Sequence, residues 1–172
     1  MTVAVIRLLP EHAAAYRALM LRAYDEHPSA FTTSAVERAD QPVAWWAARL
    51  SPTDDAPEVV FGALRDGVLL GAAGLSFEKR LKSRHKSTLF GMVVDTAAQG
   101  RGVGRQLVQA VLDHARARPA LRLVQLTVTE GNAAAEDLYL RCGFTRWGVE
   151  PMAVRVDGAY LGKVHLWHDL RR

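Results

Sequence analysis

Residues 89–112, LFGMVVDTAAQGRGVGRQLVQAVL, constrain the fold of this chain more than any other stretch. An apolar run from Leu89 to Val94, interrupted only by Gly91, stops at Asp95-Thr96, and glycines at 100, 102 and 104 then lead into a helical pattern. Val103, Leu107, Val108, Val111, Leu112 and Ala115 recur with the 3.6-residue period of a helix that buries one stripe. Strand, loop, helix is the reading. The first backbone N–H groups of a helix lack partners and carry the positive end of its dipole, so the loop is a cradle for phosphate.

The remaining elements follow from turn and period signals. Thr2 to Leu9 reads as a strand, and Pro10-Glu11 opens a helix to about Asp25 that His27-Pro28 stops. Thr33 or Ser34 caps a second helical segment through Glu37, and Pro42 restarts helix through Trp45, Trp46 and Leu50. Val59–Leu64 and Val68–Leu75 are strands joined by Asp66-Gly67, a pair that tolerates the positive φ of a tight hairpin. The charged stretch 78–86 connects them to the strand ending at Asp95. After Pro119, Leu121 to Val128 is apolar on both faces, as in a central strand. Asn132 caps a short helix that Gly143 ends, and Phe144–Val156 and Tyr160–Leu170 form a last hairpin around Asp157-Gly158. The order β-α-α-β-β-β-α-β-α-β-β requires a mixed sheet, and the strand–helix–strand unit makes the strands at Leu89 and Leu121 parallel. Ligands of such sheets bind at the carboxyl ends of parallel strands, where Asp95 to Gly104 lies.

Composition narrows the function classes. A chain of 172 residues is expected to be one domain over residues 1–172, without repeats or linker. A net charge of +4, with the arginines spread along the chain, leaves no footprint for nucleic acid. No apolar run approaches the ~18 residues of a membrane span, and the first residues lack a signal-peptide pattern. With a single cysteine, the expected compartment is the cytoplasm. The six histidines are scattered, without a Cys pair or a His-Glu-x-x-His, so no metal is expected.

Two phosphate patterns fail at the glycine loop. Walker A needs a Lys after its second glycine, and the dinucleotide pattern Gly-x-Gly-x-x-Gly meets Leu107 after Gly102 and Gly104. What stands is Gln99-Gly100-Arg101-Gly102-Val103-Gly104, a Gln-x-x-Gly-x-Gly sequence, and downstream Asn132-x-x-Ala135-x-x-Leu138-Tyr139-x-x-x-Gly143-Phe144. Both motifs, in this order, resemble the GNAT superfamily of N-acetyltransferases over most of the chain. The resemblance implies a mixed, mostly antiparallel α/β (α+β) sheet of about seven strands with a splayed parallel pair, flanked by about four helices.

The resemblance also implies a chemistry. Acetyl-CoA is the co-substrate, its pyrophosphate receiving the backbone N–H groups of Arg101, Gly102, Val103, Gly104 and Arg105. Gln99, Gly100 and Asn132 belong to the same motifs. Met92, Val93 and Val94 offer free backbone groups to pantetheine where the two strands part. The amide of Val94 is the candidate oxyanion donor. Tyr139 resembles the family's proton donor to the departing thiolate, since a phenol keeps its proton at pH 7.

The attacking amine must lose a proton first. Its base, or a water chain, is open among Glu37, Glu78, His85 and Asp95, each on a segment able to border the cleft. Glu37 also suits a cationic amine, and Asp95 also suits a turn cap. Cys142 beside a helix cap, with no histidine near it in sequence, is read as a buried residue rather than an acetyl carrier. Trp45 and Trp46 are read as core and rim of the second helix. A small-molecule amine is the favoured acceptor; a protein or peptide amine, or a non-catalytic acyl-CoA sensor, is the alternative. The last hairpin, with Trp147, Tyr160 and Trp167, offers the face of a possible homodimer.

Overall fold

The computed structural model describes residues 2–171. Its strands are β1 (Ala4–Arg7), β2 (Glu58–Arg65), β3 (Val68–Phe77), β4 (Lys86–Val94), β5 (Leu123–Thr129), β6 (Thr145–Val156) and β7 (Ala159–Asp169). Its helices are α1 (Ala13–Glu26), α2 (Ala35–Ala39), α3 (Val43–Ala48), α4 (Val103–Arg116) and α5 (Ala133–Arg141). The seven strands make one sheet in the order β1-β2-β3-β4-β5-β7-β6. Only β4 and β5 are parallel.

Local chemistry explains the boundaries. Both Asp-Gly hairpins turn with two positive φ angles, 52° and 79° at residues 66–67 and 48° and 82° at residues 157–158. This turn type shares the twist of the strands that it joins. Ser34 Oγ accepts from the Glu37 N–H at 3.4 Å, while Glu37 Oε2 accepts from the Ser34 N–H at 2.7 Å, a capping box that starts α2. Pro42 then separates α2 from α3, so that five α-helices flank the sheet. The turn at Pro10–His12 is tighter than the helix expected there, and α1 proper begins at Ala13.

Two cores sandwich the sheet. The stripe of α4 is buried as its period requires, with Val103, Leu107, Val108, Val111, Leu112 and Ala115 each at most 2% exposed. It packs with Tyr139 and Phe144 against Leu75, Val124 and Leu126. On the other face Tyr16, Leu19, Met20, Trp46 and Leu50 cover Val60, Ala72 and Val93. Leu107 has no exposed surface. Leu107→Ala is expected to cost about 3 kcal/mol and lower Tm by roughly 6–12 °C, which a calorimetric scan measures. Among the described residues, no helix is long and apolar enough to cross a membrane.

Two departures from regularity create the site. First, β4 and β5 pair only at Lys86–Leu123, Ser87–Val124 and Thr88–Gln125, and beyond that point they part. Second, Val93 stands opposite Ala72 and Phe90 opposite Gly74, so Gly91 and Met92 together oppose Ala73. This bulge, with Gly91 at φ 59°, bends β4 away from the regular ladder. The strand after α5 does not pair with β5; β7 lies between them, which completes the far side of the cleft.

Candidate active site

The gap between β4 and β5 opens two cavities that share Phe31, Phe90, Gly91 and Thr127. The smaller, about 120 Å³, is lined by Met92, Thr129, Asn132, Leu138 and Tyr139. The larger, about 260 Å³, extends toward α1, α2 and α3. The glycine loop stands at the open end of the parallel pair, at the start of α4.

Glycine is required twice in that loop by backbone conformation. Gly100 has φ 70° and Gly102, which caps α4, has φ 79°. A Cβ on either meets nothing within 4 Å, so the amides of residues 101–105 sit on an open concave surface. At Gly104 a Cβ would lie 3.1 Å from Leu138 Cδ2 and 3.3 Å from Met92 Cε, so the missing side chain lets α4 close on α5 and β4. Arg101 and Arg105 are exposed beside the cradle. This arrangement fits a pyrophosphate: unpaired N–H groups, a helix dipole and flanking cations.

Gln99 Nε2 donates to the Val94 carbonyl at 3.1 Å, tying loop to strand. The Asp95 N–H donates to Leu70 O of β3 at 2.7 Å. Successive amides of a strand point to opposite edges, so the Val94 N–H faces the splayed edge. Val94 lines neither cavity, however, whereas Met92, two residues deeper, lines the smaller one.

Tyr139 is 5% exposed and meets Phe144 edge to face at 5.6 Å. Its hydroxyl makes no hydrogen bond among the described residues. Burial raises its pKa above that of a free phenol, which favours the protonated, hydrogen-bond-donating form. Asn132 Oδ1 accepts from the Ala135 N–H at 3.3 Å, capping α5 and aligning the face that carries Tyr139. Burial also raises the thiol pKa of half-buried Cys142, the opposite of what a nucleophilic cysteine needs.

The base candidates are not gathered at the cleft. His85 precedes β4 at the closed end, where its carbonyl accepts from the Arg122 and Leu123 N–H groups. Nine residues of strand put it roughly 25–30 Å from the Val94 amide. Glu37 is exposed, and its carboxylate pKa is lowered by the hydrogen bonds from the Ser34 N–H and Oγ that build the capping box. Glu78 is exposed at the end of β3. Asp95 accepts from Arg22 Nη2 at 2.6 Å and from the Ala97 N–H at 3.0 Å, which makes it the turn cap. Neither His85 nor Glu37 lines either cavity.

The larger cavity holds residues that the sequence did not single out. Trp46 is buried and Trp45 half-buried, as core and rim, and both line it with Tyr16, Tyr24, Phe31 and Phe90. The buried indole N–H of Trp46 has no partner among the described residues. Arg38, Arg49 and Lys163 supply its charge. Lys163 is the one with a sequence signal, a lysine inside the apolar run of β7; Arg38 and Arg49 look like ordinary exposed helix residues.

Comparison with known proteins agrees with this arrangement. The family model described as acetyltransferase (GNAT) family matches residues 14–144. A mycothiol acetyltransferase of Salinispora tropica is 32% identical over 136 residues, 77% of this chain and 41% of that protein. An N-alpha-acetyltransferase RimI of Mycobacterium tuberculosis is 40% identical over 98 residues, 57% of this chain and 59% of that protein. The chain thus spans less than two thirds of the length of these curated relatives. A GNAT-family acetyltransferase of Streptococcus pneumoniae superposes with a TM-score of 0.89 at 21% identity, covering 98% of this chain and 99% of that one. Salmonella typhimurium yncA, solved with its cofactor acetyl-CoA, gives a TM-score of 0.80 at 22% identity, with 99% of this chain and 95% of that one covered. The splayed β4–β5 pair and the glycine cradle beside it are thus set in a fold shared from end to end, and the chain belongs to the acetyltransferase (GNAT) family.

Proposed function

We propose that the protein is an N-acetyltransferase that moves an acetyl group from acetyl-CoA to the primary amine of a small molecule. The observation that carries this reading is the parting of β4 from β5 beside the glycine cradle, which opens a cavity lined by Met92, Asn132 and Tyr139. The amides of residues 101–105 hold the pyrophosphate. The free edge of β4 at residues 92–94 pairs with pantetheine, and Gln99 and Asn132 fix the two walls.

The amine attacks the thioester carbonyl, and the tetrahedral oxygen takes a hydrogen bond from the splayed edge. Met92 lines the smaller cavity and Val94 lines neither, so the Met92 amide is favoured for this over that of Val94. As the C–S bond breaks, Tyr139 donates its phenolic proton to the thiolate. Neither cavity is lined by a carboxylate or an imidazole. The proton of the incoming ammonium therefore leaves through water, and the reactive species is the neutral amine.

A specific pH dependence follows. The logarithm of kcat/KM is expected to rise with a slope of about 1 up to the acceptor's own pKa, ~10 for an alkyl amine. The raised pKa of Tyr139 keeps its donor form populated there, so no fall sets in near pH 10. The inflection moves with the acceptor in a series of amines of graded pKa. A fixed inflection near pH 6–7, abolished by His85→Ala or Glu37→Gln, would return one of those residues to the mechanism.

The RimI relative supports a second reading, in which the acceptor is a peptide α-amine. Thiol release measured with peptides and with small amines at equal concentration separates the two. Binding of CoA without release by any amine would instead identify a sensor. The exposed Trp147, Val149, Met152 and Tyr160 of the β6–β7 hairpin support a homodimer, and the single half-buried Cys142 accords with the cytoplasm.

A further inference from the structure

The larger cavity carries an electrostatic bias that the acetyl-transfer reading does not use. Its walls present three cations, Arg38, Arg49 and Lys163, and no Asp or Glu. Arg49 is compensated from behind by Glu58, whose Oε1 lies 3.0 Å from its Nε. Lys163 feels Glu150, and Arg38 feels Glu37, only at a distance and without a direct hydrogen-bonded contact. Arg38 has no hydrogen-bonded or ion-paired partner among the described residues, and its guanidinium packs over the Trp45 ring at 4.8 Å. Arg49 packs on the same ring at 4.9 Å, so one indole positions both guanidinium groups. Lys163 is only 6% exposed, and its Nζ donates to a neutral hydroxyl, Thr129 Oγ1, at 2.9 Å. Its cross-strand neighbour Glu150 turns to His165 Nε2 at 3.3 Å.

Cations that line a recess whose own wall carries no carboxylate favour an entering anion. Planar guanidinium groups fixed by an aromatic ring match the paired oxygens of a carboxylate or a phosphoryl group. The rest of the wall mixes apolar side chains, among them Met20, Phe31, Leu89 and Phe90, with threonine and tyrosine hydroxyls. At about 260 Å³ the cavity lies near the lower end of small-molecule sites, which run to roughly 300–1,000 Å³.

From these observations we infer that the acceptor is a small amino acid: an amine that carries a carboxylate or phosphoryl group on an apolar frame, its anionic end held by Arg38 and Arg49 on Trp45. This inference rests on the acetyltransferase reading for its chemistry but not for its binding site. Diamines and polyamines are disfavoured by the same field, because a second ammonium has no carboxylate to meet.

The test pairs acceptors that differ only in the anionic group: leucine with isoamylamine, phenylalanine with phenethylamine, and β-alanine with 2-aminoethylphosphonate and ethylamine, with putrescine as the dication. Thiol release from acetyl-CoA gives kcat/KM, and calorimetry of each amine with the CoA-saturated protein gives binding without turnover. The expected result is at least a ~10-fold preference in both measurements for the acidic member of each pair. β-Alanine against 2-aminoethylphosphonate tells which anion is read. Arg38→Ala is expected to raise KM for the acidic acceptors about tenfold while leaving kcat, and KM for the uncharged-tail amines, within about twofold. Equal or better use of the decarboxylated amines overturns the inference and leaves acetyl transfer standing. If no amine releases thiol, the acetyltransferase reading fails, and the calorimetric preference still decides whether the cavity is an amino-acid site.

Discussion

Tyr139→Phe is expected to lower kcat by about a hundredfold or more while the Kd for CoA changes by no more than about twofold. The difference arises because the hydroxyl is the only atom removed. The ring remains in its edge-to-face contact with Phe144, so the wall of the smaller cavity keeps its shape. The lost hydroxyl makes no hydrogen bond among the described residues, so no buried partner there is left unsatisfied and Tm stays close to that of the parent. In the proposed mechanism what disappears is the donor to the departing thiolate, an interaction made only as the C–S bond breaks, and such losses fall on kcat. Steady-state kinetics beside calorimetric titration of CoA check this. A variant with parental kcat across the pH range would remove Tyr139 from the reaction.

Gly102→Val is expected to weaken CoA binding by at least ~10-fold and to lower Tm by several degrees. Gly102 begins α4 at φ 79°, a conformation that costs an ordinary residue about 1–2 kcal/mol and a β-branched one more. The loop relieves that strain by rotating, and rotation turns the amides of residues 101–105 away from their common focus. Strain alone is separated from the loss of the cradle by Gly158→Val. That residue has φ 82° in the distal β6–β7 turn and also has open space around its Cβ position. The second variant is expected to lose a similar amount of Tm with CoA affinity unchanged. Equal affinity loss in both would show that the cradle amides carry no special share of binding.

Much of the fold was legible because its signals are local. The buried stripe of α4, the Asp-Gly turns, the Ser34 and Asn132 caps and the positive-φ glycines each depend on residues a few positions apart. Periodicity and turn chemistry report such features directly. The parallel β4–β5 pair followed from chain order alone, since a helix between two strands has room to return the chain to the same edge. The insertion of β7 between β5 and β6 did not follow, because the choice of neighbour in a sheet is made by packing between segments distant in sequence.

The site divides in the same way. The proposed donor half, residues 92–105 with Asn132 and Tyr139, lies in two short motifs whose spacing is readable, and Met92, Asn132 and Tyr139 line one cavity at the parted strands. The acceptor half is assembled from α1, α2, α3, β4, β5 and β7, so no stretch of sequence contains it. Arg38 becomes a cavity residue only because the fold sets it over Trp45, and Lys163 only because β7 lies inside the sheet. His85 and Glu37 are near relevant elements in sequence but line neither cavity; a capping box engages Glu37, and His85 precedes β4 at the end where β4 and β5 pair. By itself the sequence determined the strand–cradle–helix unit, because a helix start with glycines has its binding chemistry in its own backbone. Only the tertiary structure decided which cations face which cavity, because a side chain's electrostatic surroundings are set by neighbours that folding brings from far along the chain.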